Sequence, residues 1–277
     1  MFFRLKNNKK IKKSGKNAVN SNADDDSKNA EEPKKGEKLK KLAEIVDFLF
    51  PINVTCNACG RENFNKKPFC DDCEKNLPRL SGAVCNHCGR KTFYETERCD
   101  SCSGRETYFD VARSAYDYDA PVNELIRSLK YDGKRYISKI FAKDLNNVYL
   151  KNFLNCDFVL YVPMTEEREK DRGYNQARLL AEEFSRVSGV RVENDIIYKR
   201  RETQRQATLS FEGRRQNLSG SFGVRNRKKL DKKRVLLIDD VMTTGATAES
   251  VCRLLKKYGA SFVAVLTVAS VQKKKTY

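Results

Sequence analysis

Two groups of residues in this 277-residue chain have the types and spacing to do chemistry. The first is cysteine. Eight of the ten cysteines form four Cys-x-x-Cys pairs, Cys56/Cys59, Cys70/Cys73, Cys85/Cys88 and Cys99/Cys102, with ten, eleven and ten residues between them. Two thiolates two residues apart grip one ion from a tight knuckle, and two knuckles complete a tetrahedral shell. Eight ligands therefore predict two structural zinc ions, with the pairs used either in sequence or cross-braced. A redox relay or an iron–sulfur cluster also uses cysteines, but four evenly spaced pairs favour zinc. Gly60 and Gly89 suit the tight turns of such knuckles. His87, the only histidine, lies inside the third pair and is not needed as a ligand beside a full cysteine set. Cys156 and Cys252 stand among apolar neighbours and read as packing residues.

The second group is Asp239-Asp240-Val241-Met242-Thr243-Thr244-Gly245-Ala246-Thr247, directly after the apolar run Val235–Ile238. Adjacent carboxylates at a strand end can each accept a hydrogen bond from one hydroxyl of a ribose cis-diol. Backbone N–H groups and the threonine hydroxyls of the following loop can surround a phosphate, Gly245 permits close backbone approach, and a helix start adds a favourable dipole. A diol reader joined to a phosphate cradle predicts a ribose 5-phosphate site. The chain has neither G-x-x-x-x-G-K-[ST] nor G-x-G-x-x-G, which argues against a P-loop NTPase and a dinucleotide fold.

The elements that must hold these residues follow from periodicity. Leu42, Ile45, Val46 and Leu49 predict a short amphipathic helix ahead of the first knuckle. From about Tyr108 onward, helix and strand patterns alternate. Val122, Leu125, Ile126 and Leu129 mark one helix face, and Ala177, Leu180, Ala181, Phe184 and Val187 another. Phe158–Val162, Val235–Ile238 and Phe262–Ala269 read as strands, with a helix from about Ala248 to Lys257. Near-continuous apolar strands separated by helices predict an α/β fold with a parallel sheet covered on both faces. Ligands of such sheets bind beyond the carboxyl ends of the strands.

Charge completes the division of the chain. Lys and Arg number 55 against 37 Asp and Glu, a net +18 that favours phosphate-rich partners. Residues 1–41 read as a disordered basic tail, 42–107 as a helix plus a double zinc ribbon with four cysteines per metal, 108–272 as the sheet domain, and 273–277 as a basic C-terminal tail. A second basic stretch, Lys199–Arg234, holds thirteen basic and three acidic residues. No apolar run reaches the roughly 18–20 residues of a membrane span, and the first residues lack a secretion signal. A cytoplasmic protein without a transmembrane segment is expected.

Val235–Thr247 resembles the phosphoribosyl pyrophosphate (PRPP) motif of type I phosphoribosyltransferases. From about Leu42 to Ala269 the chain is similar to the ComF family, proteins linked to natural competence and the handling of incoming single-stranded DNA. Phe50-Pro51, Tyr116–Pro121, Leu129-Lys130-Tyr131, Val162-Pro163, Arg172–Ala177 and Arg214–Leu218 carry the likeness, and the tail 1–41 departs from it. The resemblance implies that Asp239 and Asp240 hold the ribose diol and Thr243, Thr244, Gly245, Ala246 and Thr247 the 5-phosphate. It implies that Arg168 and Arg172 belong to a pyrophosphate loop, and that Arg205, Arg214 and Arg215 belong to a mobile loop closing over pyrophosphate. Magnesium with PRPP, single-stranded DNA, and proteins of the competence or recombination machinery are the implied partners, at a site peripheral to the membrane-bound uptake apparatus. The competing expectation is an active transferase that moves phosphoribose from PRPP to a nucleobase or amine. Tyr116, Tyr118, Tyr131 and Tyr136 are candidate stacking residues for a single strand, though each also suits a core or edge.

Overall fold

Val235-Leu-Leu-Ile238 offers no polar side chain to water, so both faces of its strand must be covered. In the computed structural model, which describes residues 54–152, 154–200, 218 and 220–272, they are. The central strand β5 (Arg234–Met242) pairs in parallel with β2 (Phe158–Tyr161) on one side and β6 (Phe262–Ser270) on the other. Strand β1 (Val111–Asp117) lies beyond β6, giving the order β1-β6-β5-β2. Successive residues of β5 feed opposite cores, Leu236 and Ile238 into one and Val235 and Leu237 into the other. All four are fully buried, and each contributes about 1.5–3 kcal/mol by leaving water.

One face is covered by α2 (Val122–Tyr131), α3 (Ile137–Lys151) and α5 (Gln176–Ser188), and the other by α6 (Ala246–Lys257). The helix faces expected at Val122–Leu129 and Ala177–Phe184 are buried, but Val187, in the last turn of α5, is exposed. The sequence reading did not anticipate α3, although Ile137, Phe141, Leu145 and Tyr149 recur every four residues along its buried side. Cys156 and Cys252 are buried packing residues, as expected. A small antiparallel pair, β3 (Ile197–Lys199) and β4 (Phe222–Val224), flanks the basic segment. Arg205, Arg214 and Arg215 in that segment, the tails 1–41 and 273–277, and the helix expected over 42–49 lie outside the described residues.

The cysteine-rich segment, which carries the short helix α1 (Asp71–Lys75), is seated on the free side of β1. Leu80 N–H donates to Ala115 C=O at 3.0 Å, Asp117 N–H to Pro78 C=O at 2.8 Å, and Ala112 N–H to His87 C=O at 2.7 Å. Cys56, Phe69 and Leu77 join the core beneath α3, whereas Cys85, Cys88 and Cys102 join the core beneath α6. The two halves of the segment therefore straddle the sheet. Gly89 makes the tightest approach: a Cβ there would lie 2.6 Å from the Ala112 carbonyl oxygen, and its φ of +69° also favours glycine.

Candidate functional site

The strand β5 runs through the carboxylate pair and continues to Met242, so Asp239 and Asp240 sit within its carboxyl end. Asp239 is half-buried and Asp240 is 5% exposed. Lys130, in the last turn of α2, reaches the pair and places Nζ 2.5 Å from Asp240 Oδ2. Burial alone would lower the Lys130 pKa, but the two carboxylates outweigh it and the ammonium is held above its usual range. Asp239 shifts upward because burial and the neighbouring Asp240 charge both penalise its carboxylate. Its oxygens are therefore poised to accept hydroxyl donors that would relieve that cost.

Beyond Met242 the chain turns through Thr243, Thr244 and Gly245 into α6. Gly245 has φ +87°, in the left-handed region, at the N-cap of this twelve-residue helix. Thr243 is exposed, Thr244 and Thr247 are half-buried, and the Ala246 N–H reaches Thr244 Oγ1 at 3.4 Å. The strand–turn–helix thus supplies N–H donors and hydroxyls beside the carboxylates.

The segment carrying Arg168 and Arg172 is the short helix α4 (Glu166–Arg172), and the two arginines, four residues apart, share one face of it. With Lys130, Tyr131 and Tyr174 they line a cleft of about 510 Å³. The guanidinium of Arg172 lies 5.1 Å from the centre of the Tyr131 ring. Arg172–Ala177 explains itself locally. Gly173, at φ +82°, ends α4, and the Tyr174 hydroxyl donates to the Leu129 carbonyl at 2.5 Å, next to Lys130. Asn175 caps α5 by accepting from Ala177 N–H at 2.9 Å, and its amide donates to the Val162 carbonyl at 3.1 Å. The ends of α2, β2 and α4 are thereby tied together. Lys130 belongs to both the carboxylate pair and the cleft, so it joins the two halves of the site.

The eight paired cysteines form two groups, Cys56/Cys59/Cys70/Cys73 and Cys85/Cys88/Cys99/Cys102, with all ligand atoms of each group within 4.8 Å of one another. The pairs are used in sequence, not cross-braced. Cys59 and Cys70 sulfurs are 3.9 Å apart and those of Cys88 and Cys99 are 3.7 Å apart. A tetrahedral Zn–S distance of about 2.3 Å gives edges of about 3.8 Å, so the thiols fit zinc. Hydrogen bonds from neighbouring groups hold three thiols low, Cys59 at about 6, chiefly through Arg61, Cys88 at about 5, chiefly through Cys102, and Cys56, where burial is outweighed by backbone N–H groups. His87 is outside the ligand set and stacks on Phe109 at 4.7 Å.

Three things escaped the sequence reading. Lys130 had no assigned role. The knuckles form an internal repeat: Cys56-Asn-Ala-Cys-Gly-Arg61 and Phe64 recur 29 residues later as Cys85-Asn-His-Cys-Gly-Arg90 and Phe93, a periodicity a self-comparison would have found. Arg90 of the second copy donates through Nη2 to the backbone carbonyl of Thr243, in the turn after the carboxylates. One stacking candidate is corrected. Tyr116 is 1% exposed and donates to the half-buried Asp144 at 2.5 Å, so its core position withdraws it from any strand track. Tyr118, Tyr131 and Tyr136 are exposed.

Comparison with known proteins agrees with this architecture. A double zinc ribbon domain family matches residues 45–103 and a phosphoribosyl transferase domain family matches residues 170–277. Competence protein F of Haemophilus influenzae is 30% identical over 225 residues, 79% of this chain and 97% of that protein. The chain belongs to the ComF family. ComFC of Bacillus subtilis is also 30% identical, over 83% of this chain and 95% of its own. The DNA utilization protein YhgH of Escherichia coli K12 is 30% identical over 54% of this chain and 67% of its own. In ComF terms, a double zinc ribbon with two four-cysteine sites precedes a type I phosphoribosyltransferase-like sheet. No helix among the described residues is long and apolar enough to cross a membrane.

Proposed function

We propose that this ComF protein binds PRPP or a related phosphoribosyl ligand and handles single-stranded DNA during DNA uptake. The observation that carries the ligand is the Asp239–Asp240 pair, ion-paired through Lys130 to the margin of the arginine-lined cleft. Asp239 and Asp240 take the ribose hydroxyls, and the residues from Thr243 to Thr247 take the 5-phosphate. Arg168 and Arg172 face the pyrophosphate, with Arg205, Arg214 and Arg215 closing over it. The carboxylates are hard oxygen donors suited to magnesium, which would neutralise pyrophosphate charge.

Two observations support the DNA role. Relatives over most of the chain are competence proteins. Arg225 lies 4.5 Å from the Tyr198 ring centre and Arg227 4.4 Å from that of Tyr258. Exposed arginines over aromatic rings suit phosphate tracking and base stacking. This role places the protein on the cytoplasmic side, peripheral to the uptake apparatus and in reach of competence or recombination proteins.

Calorimetric titration of Mg·PRPP into the protein and into Asp239→Asn/Asp240→Asn tests the ligand. Saturable binding lost in the double variant is expected. Equal binding by both proteins would move the site elsewhere, and no binding to either would leave the sheet as a scaffold. The transferase reading has its own assay: pyrophosphate release with a nucleobase or amine acceptor, abolished by Asp240→Asn.

A further inference from the structure

The two ribbon repeats have the same knuckle but use the arginine after it differently. In the first copy Arg61 points back to its own knuckle, with Nε 3.4 Å from Cys59 Sγ, and is exposed. In the second copy Arg90 is 9% exposed and crosses to the sheet domain to hold the Thr243 carbonyl. Its neighbours make the same crossing. The Lys91 ammonium pairs with Asp117 at the carboxyl end of β1, and the Lys91 N–H donates to Gln272 Oε1 at 3.1 Å. Where the chain leaves the ribbon, Tyr108 N–H donates to the buried Glu249 carboxylate in the first turn of α6 at 2.7 Å. Cys88, Arg90, Cys102, Thr244, Gly245 and Glu249 line one small cavity, so the second metal knuckle and the phosphate turn share a wall.

We propose that Arg90 is a positioning residue for the phosphate turn, through which the second four-cysteine site sets the shape and affinity of that turn. The proposal rests on the phosphoribosyl reading above and names how that site is controlled. The chain of causes is short. Metal ligation fixes Cys85 and Cys88, and Gly89 seats the knuckle against the Ala112 carbonyl. That contact aims Arg90, whose hydrogen bond to the Thr243 carbonyl restrains the turn that carries the N–H groups of residues 244–247. A guanidinium remains charged at any working pH, so the same contact adds a lasting positive charge beside the turn.

The test uses the full zinc-loaded chain. Arg90→Met keeps the apolar stem and removes the donors, Arg90→Lys keeps charge and a donor, and Arg61→Met changes the matching position of the first repeat. Hydrogen exchange of the 243–247 amides needs no ligand. It is expected to quicken about tenfold in Arg90→Met, the loss of one charge-assisted hydrogen bond, with Arg90→Lys between it and wild type. Arg61→Met should match wild type, and zinc content should stay at two per chain. Unchanged exchange at 243–247, or quickening spread evenly over ribbon and sheet, would overturn the proposal. Where wild type binds Mg·PRPP, Arg90→Met should also weaken it about tenfold, or about 1.4 kcal/mol, and equal affinity would count against control of binding. If wild type binds no PRPP the ligand reading fails, and the exchange result alone decides whether Arg90 holds the turn. Should Arg90→Met not fold, Arg90→Lys is measured on the same scale, and wild-type exchange in it together with loss of folding in Met would mark a structural arginine only.

Discussion

Lys130 Nζ and Asp240 Oδ2 meet at 2.5 Å across the carboxyl edge of the sheet, both largely out of water. One ammonium thus serves a strand end that carries two carboxylates. The arrangement leaves Asp239 as the underserved member, and its raised pKa expresses that imbalance.

The first prediction follows from the sign of that shift. Asp239 has a folded-state pKa above its ordinary 3.8, so the folded state binds the proton more tightly than the unfolded state. Its stabilising contribution is full below 3.8 and is lost as pH rises through the folded pKa. At neutral pH Asp239→Asn should therefore raise stability while abolishing ligand binding. Thermal melts from pH 4 to 8 should show a flatter profile in the variant. A less stable variant at pH 7 would refute the assignment.

Removing the partner lysine works in the opposite direction. Lys130→Met leaves Asp240 buried without its cation and is expected to cost about 3 kcal/mol. Denaturant titration measures the loss. In Lys130→Met/Asp240→Asn most of it should return, because the stranded charge is gone. A double variant no better than the single would show that Lys130 stabilises through its stem.

The matched glycines of the ribbon repeat allow a cleaner comparison. Gly60 and Gly89 have φ of +71° and +69°, but a Cβ on Gly60 meets nothing within 4 Å whereas one on Gly89 meets the Ala112 carbonyl oxygen at 2.6 Å. Gly60→Ala should cost about 1 kcal/mol from backbone strain alone, and Gly89→Ala about 2 kcal/mol more from the clash. Equal losses in denaturation would mean the second knuckle is free to lift off β1.

Metal analysis of protein purified under reducing conditions should return two zinc ions per chain, and chelation should unfold residues 56–102. One ion, or none, contradicts the paired four-cysteine sites.

Single-strand binding should weaken steeply between 50 and 200 mM salt, by about tenfold for each two or so phosphates neutralised. Neutralising Arg214 and Arg215 should lessen both the affinity and the slope. Affinity indifferent to salt would remove the DNA role.

What could be read from sequence was what lies contiguous along it. Asp239 through Thr247 form one strand–turn–helix, so residue types and order sufficed to suggest the site. The cysteine pairs announced themselves by spacing, although only three-dimensional proximity showed that they are used in sequence. Lys130 was opaque because it reaches Asp240 from another helix. Arg90 was more so, since its contact with Thr243 spans 153 residues. The helix α3 was overlooked because the buried polar Ser138 and the exposed Lys139 and Lys143 separate its apolar residues along the sequence, although its buried face is continuous in space. Tyr116 looked available because its polar tip carries no mark of the half-buried Asp144, on another element, that receives it.

The backbone contacts of Leu80, Pro78 and His87 with β1 bear on the protein's life under zinc shortage. A ribbon that lets go of its ions also lets go of the outermost strand, baring a row of peptide groups able to recruit a strand from another molecule. Scarcity of the metal would then be felt first as a loss of solubility, with light scattering rising before the sheet itself melts.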